Sequence, residues 1–345
     1  MELETLILKL KESNNYTDDQ LEYYSAYAKK IHDLGYPIIF DVNHLSQLTG
    51  ISYAYIYKVT NSNKKNFYKH FSIPKQDGST RQILSPFPSL KIIQNWILKN
   101  ILEKTKVSNF AKAYKKKCSL KDNVKFHRKQ KLVLKLDIKD FFSNIQEKDV
   151  FLYFKSIGYS NKLSLVLTNL VMYNSEKGLP QGAPTSPYMS NIIMREFDDT
   201  ISKYCVKNKI RYTRYADDLT FSGDFDYNKV TGIVSNNLKK LGLYLNHAKT
   251  QRLYSNNRQV VTGIVVNDKT QIDRRKRKNL RLEIYYLKKN PVQHLTRISS
   301  DIMIQKKYLL SLIGKLNFAL QINPYDSTLK EYKKEVYYIL ETMYY

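Results

Sequence analysis

Two adjacent carboxylates, Asp217 and Asp218, lie within Arg211-Tyr-Thr-Arg-Tyr215-Ala216-Asp217-Asp218-Leu-Thr-Phe-Ser222, between two runs rich in β-branched and aromatic residues. That pattern predicts a β-hairpin with the acids at its tip. An acidic pair in a turn can simply bond its own backbone. If a third carboxylate converges on it from another strand, it can instead hold divalent metal over a phosphate and offset the charge that develops in phosphoryl transfer. Asp137 is the candidate, because it ends the run Lys131-Leu-Val-Leu-Lys-Leu136, which reads as a buried strand. A lone Asp after a strand is commonly a helix cap, so the weight falls on the three acids together.

The elements that must position these acids follow from periodicity. Residues 1–60 read as a helical extension, with Leu3, Leu6, Ile7 and Leu10 at helical spacing and a break at Gly35-Tyr-Pro37. Within it, His44 to Tyr57 suggests two short helices around Gly50, which fits either a packing unit or a DNA-reading helix-turn-helix. A basic hairpin is expected from Tyr68–Ile73 and Thr80–Leu84 around a Gln76-Asp-Gly78 turn, followed by an amphipathic helix over Ser89–Leu102. Arg81 on that hairpin can hold a triphosphate or be solvated surface. The stretch Ala111–His127 is basic and loop-like. Gly178-Leu-Pro-Gln181-Gly182-Ala-Pro-Thr-Ser-Pro187 is a backbone-exposing loop at the entry of a helix over Tyr188–Cys205, a place where N–H groups and the helix dipole favour phosphate. After the hairpin come a helix over Tyr227–Leu241, a strand over Leu243–Thr250, a second hairpin over Arg258–Val266 and a helical end with segments over Leu295–Leu320 and Leu329–Met343. The domain expectation is therefore 1–60 helical extension, 61–265 catalytic region and 266–345 basic helical lobe.

Composition narrows the partner. Lys plus Arg number 57 against 31 acids, a net charge of +26 over 345 residues, which implies an extended polyanion such as nucleic acid. The 29 tyrosines add stacking surfaces, although most such rings serve cores. The densest charge run is Arg274-Arg275-Lys276-Arg277-Lys278 with Arg281, suited to gripping a backbone or to forming a solvated face. Cys118 and Cys205 lack metal-ligand spacing, and the pair points to a reducing, cytoplasmic setting. No stretch reaches the roughly 18 apolar residues of a spanning helix, so no membrane partner is expected.

In order and spacing these pieces resemble the reverse transcriptases over about Phe67–Gln321. Leu136-Asp-Ile-Lys-Asp-Phe-Phe142 resembles that family's first carboxylate motif, Leu179-Pro-Gln-Gly-Ala-Pro-Thr-Ser-Pro187 its template and nucleotide loop, and Tyr215-Ala-Asp-Asp218 its second acidic motif. The resemblance implies an α+β right-hand polymerase: fingers, a palm with an antiparallel sheet, and a helical thumb. It implies two Mg²⁺ ions, for which Mn²⁺ can substitute, held by Asp137, Asp217, Asp218 and the Ile138 carbonyl. Arg81, Gln181, Gly182 and Lys249 would contact the nucleotide. Phe142 sits where the family has its steric gate against a ribose 2′-OH, favouring dNTPs. RNA-dependent RNA polymerases usually carry a polar residue there and Gly-Asp-Asp at the hairpin, unlike Tyr215-Ala216 here.

Within reverse transcriptases the chain is most similar to the bacterial retron enzymes. Val261-Thr262-Gly263 matches their triplet after the palm, and Asn123-Val-Lys-Phe-His127 resembles their Asn-Ala-x-x-His element with Val124 for Ala. The resemblance implies that Asn123, His127, Val261, Thr262 and Gly263, with the basic run, bind a cognate structured non-coding RNA that serves as template and primer. It further implies synthesis from the 2′-OH of a guanosine, an RNA–DNA hybrid product with short single-stranded DNA joined to the RNA, and anti-phage defence alongside a separate effector protein encoded nearby. Another bacterial defence or group II intron-derived reverse transcriptase would share the acids and prime differently. A silent RNA-binding module would keep the fold without the chemistry.

Overall fold

The computed structural model describes residues 17–74, 78, 80–174 and 177–344. The helix expected near Leu3–Leu10 and part of the Gln76-Asp-Gly78 turn lie outside the described residues. The chain is α+β, and it divides into two compact units.

The first unit comprises residues up to Lys115 with Ile138–Lys203 and Asn228–Asn246. Its first described helix, Asp18–Asp33, opens with a reciprocal cap in which Thr17 and Gln20 each bond the other's backbone N–H. The short helices Val42–Thr49 and Tyr53–Asn61 follow, joined through Gly50 in the left-handed region (φ 70°). Leu45, Ile56 and Val59 are buried, so this pair is at least a packing unit of its own core. Strands β1 (Tyr68–Pro74) and β2 (Thr80–Pro86) form the expected antiparallel hairpin, with Ile73 opposite Arg81. Helix Pro88–Asn100 then buries Leu90, Ile93 and Ile97. Tyr188–Cys205, expected as one helix, is two, Ser186–Ile193 and Arg195–Lys207, broken at Met194.

The Gly178–Pro187 loop is held against both β2 and the segment after Asp137. Leu84 N–H donates to the Gln181 carbonyl at 2.7 Å, and Leu179 N–H donates to the Phe142 carbonyl at 2.9 Å. Gly178 is required there. Its φ is +53°, and a Cβ would stand 2.5 Å from the Ser143 oxygen and 2.6 Å from the Phe142 oxygen, where only backbone could yield. Gly178→Ala should therefore lower stability by roughly 2–4 kcal/mol, from overpacking plus backbone strain. A melting curve unchanged from the parent would refute this close approach.

The second unit comprises Lys116–Asp137, Tyr204–Tyr227 and the chain from His247 onward. Its main sheet has the order β4-β5-β3-β6, with β3 (Leu132–Asp137), β4 (Arg211–Tyr215), β5 (Asp218–Gly223) and β6 (Gln251–Tyr254) antiparallel throughout. Strand β3 is apolar because it is central and buried on both faces. Leu243–Thr250, expected as a strand, yields only an isolated bridge at Leu245 and a 3-10 turn at His247–Lys249; the strand begins at Gln251. Strands β7 (Val260–Val261) and β8 (Ile264–Val265) form the expected second hairpin, extended by β9 (Gln271–Ile272). Thr262 (φ 45°) and Gly263 (φ 81°) are both left-handed, as a type I′ turn demands.

Helices Arg274–Lys289, Pro291–Ile298, Ile302–Ile322 and Ser327–Tyr344 finish the chain; the single helix expected over Leu295–Leu320 is interrupted at Ser299-Ser-Asp301. They share one apolar core with Val124, Val133 and Val261. No helix among the described residues is long and apolar enough to cross a membrane.

Candidate active site

The second unit gathers the three acids. Asp137 closes β3 directly opposite Asp218, which opens β5, and Tyr215 on β4 is the other neighbour of Asp218. Ala216 and Asp217 form a two-residue loop with Ala216 at φ 59°, a first-position positive φ that matches hairpin twist. Arg214 is fully buried and donates through Nη1 to the Ala216 carbonyl at 3.2 Å, which ties the strained tip to its own strand. Sequence reading gave Arg214 no role, since an Arg within a strand run reads as a rim residue.

The carboxylates crowd one another. Burial, then the charge of Asp218 and Asp137, pushes the Asp217 carboxyl up to about 6, and burial with Asp137 also raises Asp218. Lys249 supplies an opposing charge, its Nζ donating to Asp137 Oδ2 at 3.0 Å, and Lys135 opposes the charge of Asp218. Burial pulls the Lys249 pKa down, but its bond to Asp137 and the charges of all three acids outweigh that and raise it. Among the described residues no three Asp, Glu, His or Cys side chains form a ready-made cage for an ion. The donor chemistry nonetheless suits a hard divalent cation, because three carboxylates offer oxygen donors and burial penalises the charge of Asp217 and Asp218. Ile138, whose carbonyl the resemblance assigns to the metal, is engaged in a bridge with Leu245.

In the first unit, Arg81 is exposed on β2, Gln181 and Gly182 abut the neighbouring Ile83 and Leu84, and Phe142 is half-buried with its ring 5.3 Å from Phe141 and 6.3 Å from Tyr114. A Cβ on Gly182 would meet the Leu84 oxygen at 2.9 Å, so glycine lets this loop lie against β2.

The expected RNA contacts divide. Arg274, Arg275, Lys276, Lys278 and Arg281 are exposed along one helix, as is Gly263 in its turn. Arg277 is not free for a backbone: its guanidinium pairs with Asp326 through both terminal nitrogens, one at 3.1 Å, and so fastens the helix to the start of the last one. Val261 is part of the apolar core, while Asn123 and His127 are fully buried. Contact between those three side chains and RNA is therefore corrected to an interior role. His127 Nδ1 lies 2.7 Å from Ser222 Oγ and Nε2 2.8 Å from Thr213 Oγ1. Thr213 Oγ1 donates to Asn123 Oδ1 at 2.6 Å, and Asn123 Nδ2 reaches Thr262 Oγ1 at 3.4 Å. Sequence reading missed Thr213 and Ser222, which resemble ordinary strand residues until the fold sets His127 between them.

The family described as reverse transcriptase (RNA-dependent DNA polymerase) matches residues 73–295. Retron Ec86 reverse transcriptase of Escherichia coli is 30% identical over 315 residues, covering 88% of this chain and 97% of that one. Retron Ec83 reverse transcriptase of Escherichia coli is 31% identical over 296 residues, covering 77% and 90%. Among solved structures, a telomerase from Candida albicans in complex with a fragment of telomeric RNA aligns at 12% identity and TM-score 0.49, covering 82% of this chain and 62% of that one. Reverse transcriptases use divalent metal, an RNA template and dNTPs, in keeping with three carboxylates at the end of a palm sheet in a chain of net charge +26. With its family match spanning well over half its length and the two Escherichia coli relatives matched over 97% and 90% of theirs, the chain belongs to the bacterial retron reverse transcriptases and is an RNA-directed DNA polymerase.

Proposed function

We propose that Asp137, Asp217 and Asp218 hold two Mg²⁺ ions and that the protein copies part of its own structured RNA into short single-stranded DNA joined to that RNA. The observation that carries this reading is the meeting of Asp137 and Asp218 as cross-strand partners beside the Asp217 turn, with Lys249 on Asp137. Bound there, the ions would lower the charge barrier to attack on the α-phosphate. The chain's own residues do the rest. Arg81 neutralises the incoming triphosphate, and Gln181 and Gly182 set template and nucleotide in register. Phe142 fills the space a ribose 2′-OH would need. Lys249, held cationic by the acids around it, exchanges its bond to Asp137 for one to the leaving pyrophosphate and gives that group a proton.

The exposed Arg274, Arg275, Lys276, Lys278 and Arg281 grip the RNA backbone, with the Thr262-Gly263 turn alongside; residues 266–345 act as the thumb and 61–265 as fingers and palm. The primer is the 2′-OH of a guanosine within the RNA. The product serves anti-phage defence in the bacterial cytoplasm, with an effector protein encoded nearby. To test this, the protein is purified with its bound nucleic acid from cells that carry its gene and flanking DNA, and then treated with RNase. Residual DNA whose 5′ end retains a 2′,5′-linked ribonucleotide is the expected result. DNA with an ordinary 5′ end would overturn the priming chemistry.

A further inference from the structure

The buried polar chain behind the acidic hairpin has no part in nucleotide chemistry as described, yet it is continuous and its members are far apart in sequence. Because side chains alternate along a strand, Asp218, Thr220 and Ser222 share one face of β5, and Thr213, opposite Thr220, shares that face from β4. Ser222 lies four residues from Asp218 along the strand, about 13 Å at the usual rise. His127 bonds both Thr213 and Ser222, so one imidazole pins the two strands that bear the Asp217 turn. Asn123 carries the connection on to Thr262, in the type I′ turn seated by Val261 in the core of the terminal helices.

The proton inventory orients the chain. An amide oxygen only accepts, so the Thr213 hydroxyl must spend its hydrogen on Asn123 Oδ1. Toward His127 that hydroxyl can then only accept, which requires Nε2–H on the ring and leaves Nδ1 as the acceptor for the Ser222 hydroxyl. A charged imidazolium would donate from both ring nitrogens with Ser222 as acceptor, so burial decides between the two forms. Burial, with the charge of Arg211, pushes the His127 pKa down to about 3, consistent with a permanently neutral ring.

We infer that Asn123, His127, Thr213, Ser222 and Thr262 form a positioning relay, with His127 in its neutral Nε2–H tautomer, that holds the Asp217–Asp218 hairpin in register with the turn at the root of the terminal helices. The buried members Asn123, His127, Thr213 and Ser222 act through the acids and touch neither substrate nor RNA. It rests on the reading that Asp217 and Asp218 carry the chemistry.

The test measures dNTP incorporation by the full chain on a DNA primer annealed to an RNA template, together with the affinity for that duplex. Thr213→Val, which keeps the shape and removes the hydroxyl, should lower kcat by about 10- to 100-fold, since misplacement by an ångström costs that much. KM for dNTP and Kd for the duplex should stay within about threefold, as befits loss of a group that binds neither. Thr213→Ser should restore kcat. Nitrogen NMR of the imidazole in the unmodified protein should show Nε2–H at neutral pH. An unchanged kcat in Thr213→Val, a raised Kd with kcat intact, or a Nδ1–H ring would each overturn the inference. If Thr213→Val fails to fold, Ser222→Ala, at the end of the relay, gives the same readout. Asp217→Asn runs alongside: activity that survives it refutes the carboxylate reading itself, whatever Thr213 does.

Discussion

Asp217→Asn is expected to abolish primer extension, with a loss of about 10³-fold or more in kcat, because it removes a negative charge from the proposed cation site while keeping the side chain's shape. The same change should leave the protein at least as stable. Asp217 is penalised in the folded state, with its carboxyl raised to about 6 by burial, Asp218 and Asp137, so at pH 7 the charged form carries a cost that a neutral amide avoids. The two expectations pull in opposite directions and make the experiment decisive. A fall in activity with unchanged or higher melting temperature assigns the loss to chemistry. A variant that retains extension within tenfold of the parent, in a single-turnover assay with Mg²⁺, would remove Asp217 from the metal site.

Phe142→Ala should open the nucleotide site to ribonucleotides. The ring stands on a backbone fixed independently of it: the Phe142 carbonyl accepts from Leu179 N–H at 2.9 Å and is closed over by Gly178. Truncating the side chain therefore leaves a space in place, without shifting the segment that follows Asp137. The ratio of kcat/KM for a ribonucleotide to that for the matching deoxynucleotide should rise roughly 10- to 100-fold, the scale on which a pocket rejects or admits one small group. Competing rGTP and dGTP on one template, read by the alkali sensitivity of the product, measures it directly. Discrimination equal to the parent's would mean that another residue guards the sugar.

The two substitutions differ in what their sites owe to the sequence. The acids were legible because their signals are local. An apolar run ending in Asp137 and two β-prone runs around Ala216-Asp217 define a central strand and a tight hairpin by period and turn chemistry alone. The second hairpin at Thr262-Gly263 was legible for the same reason. The segment Leu243–Thr250 was not, since its alternation satisfies a strand pattern, yet its β-pairing is a single bridge at Leu245. The break at Met194 was likewise hidden within a continuous helical period.

Burial of polar groups was the least legible property. Asn123 and His127 belong to a recognisable element, and Arg277 to a basic run, so each reads as a surface contact for RNA. Whether such a group is buried, or paired within the protein, depends on partners from distant sequence: Thr213 and Ser222 for His127, Asp326 for Arg277. The sequence by itself determined the polymerase plan, the three carboxylates and the excess of positive charge, because each is written in residue type and short-range period. Only the tertiary structure decided which polar residues are exposed and which are buried behind the hairpin, because a buried hydrogen bond exists only when both partners are brought together out of water.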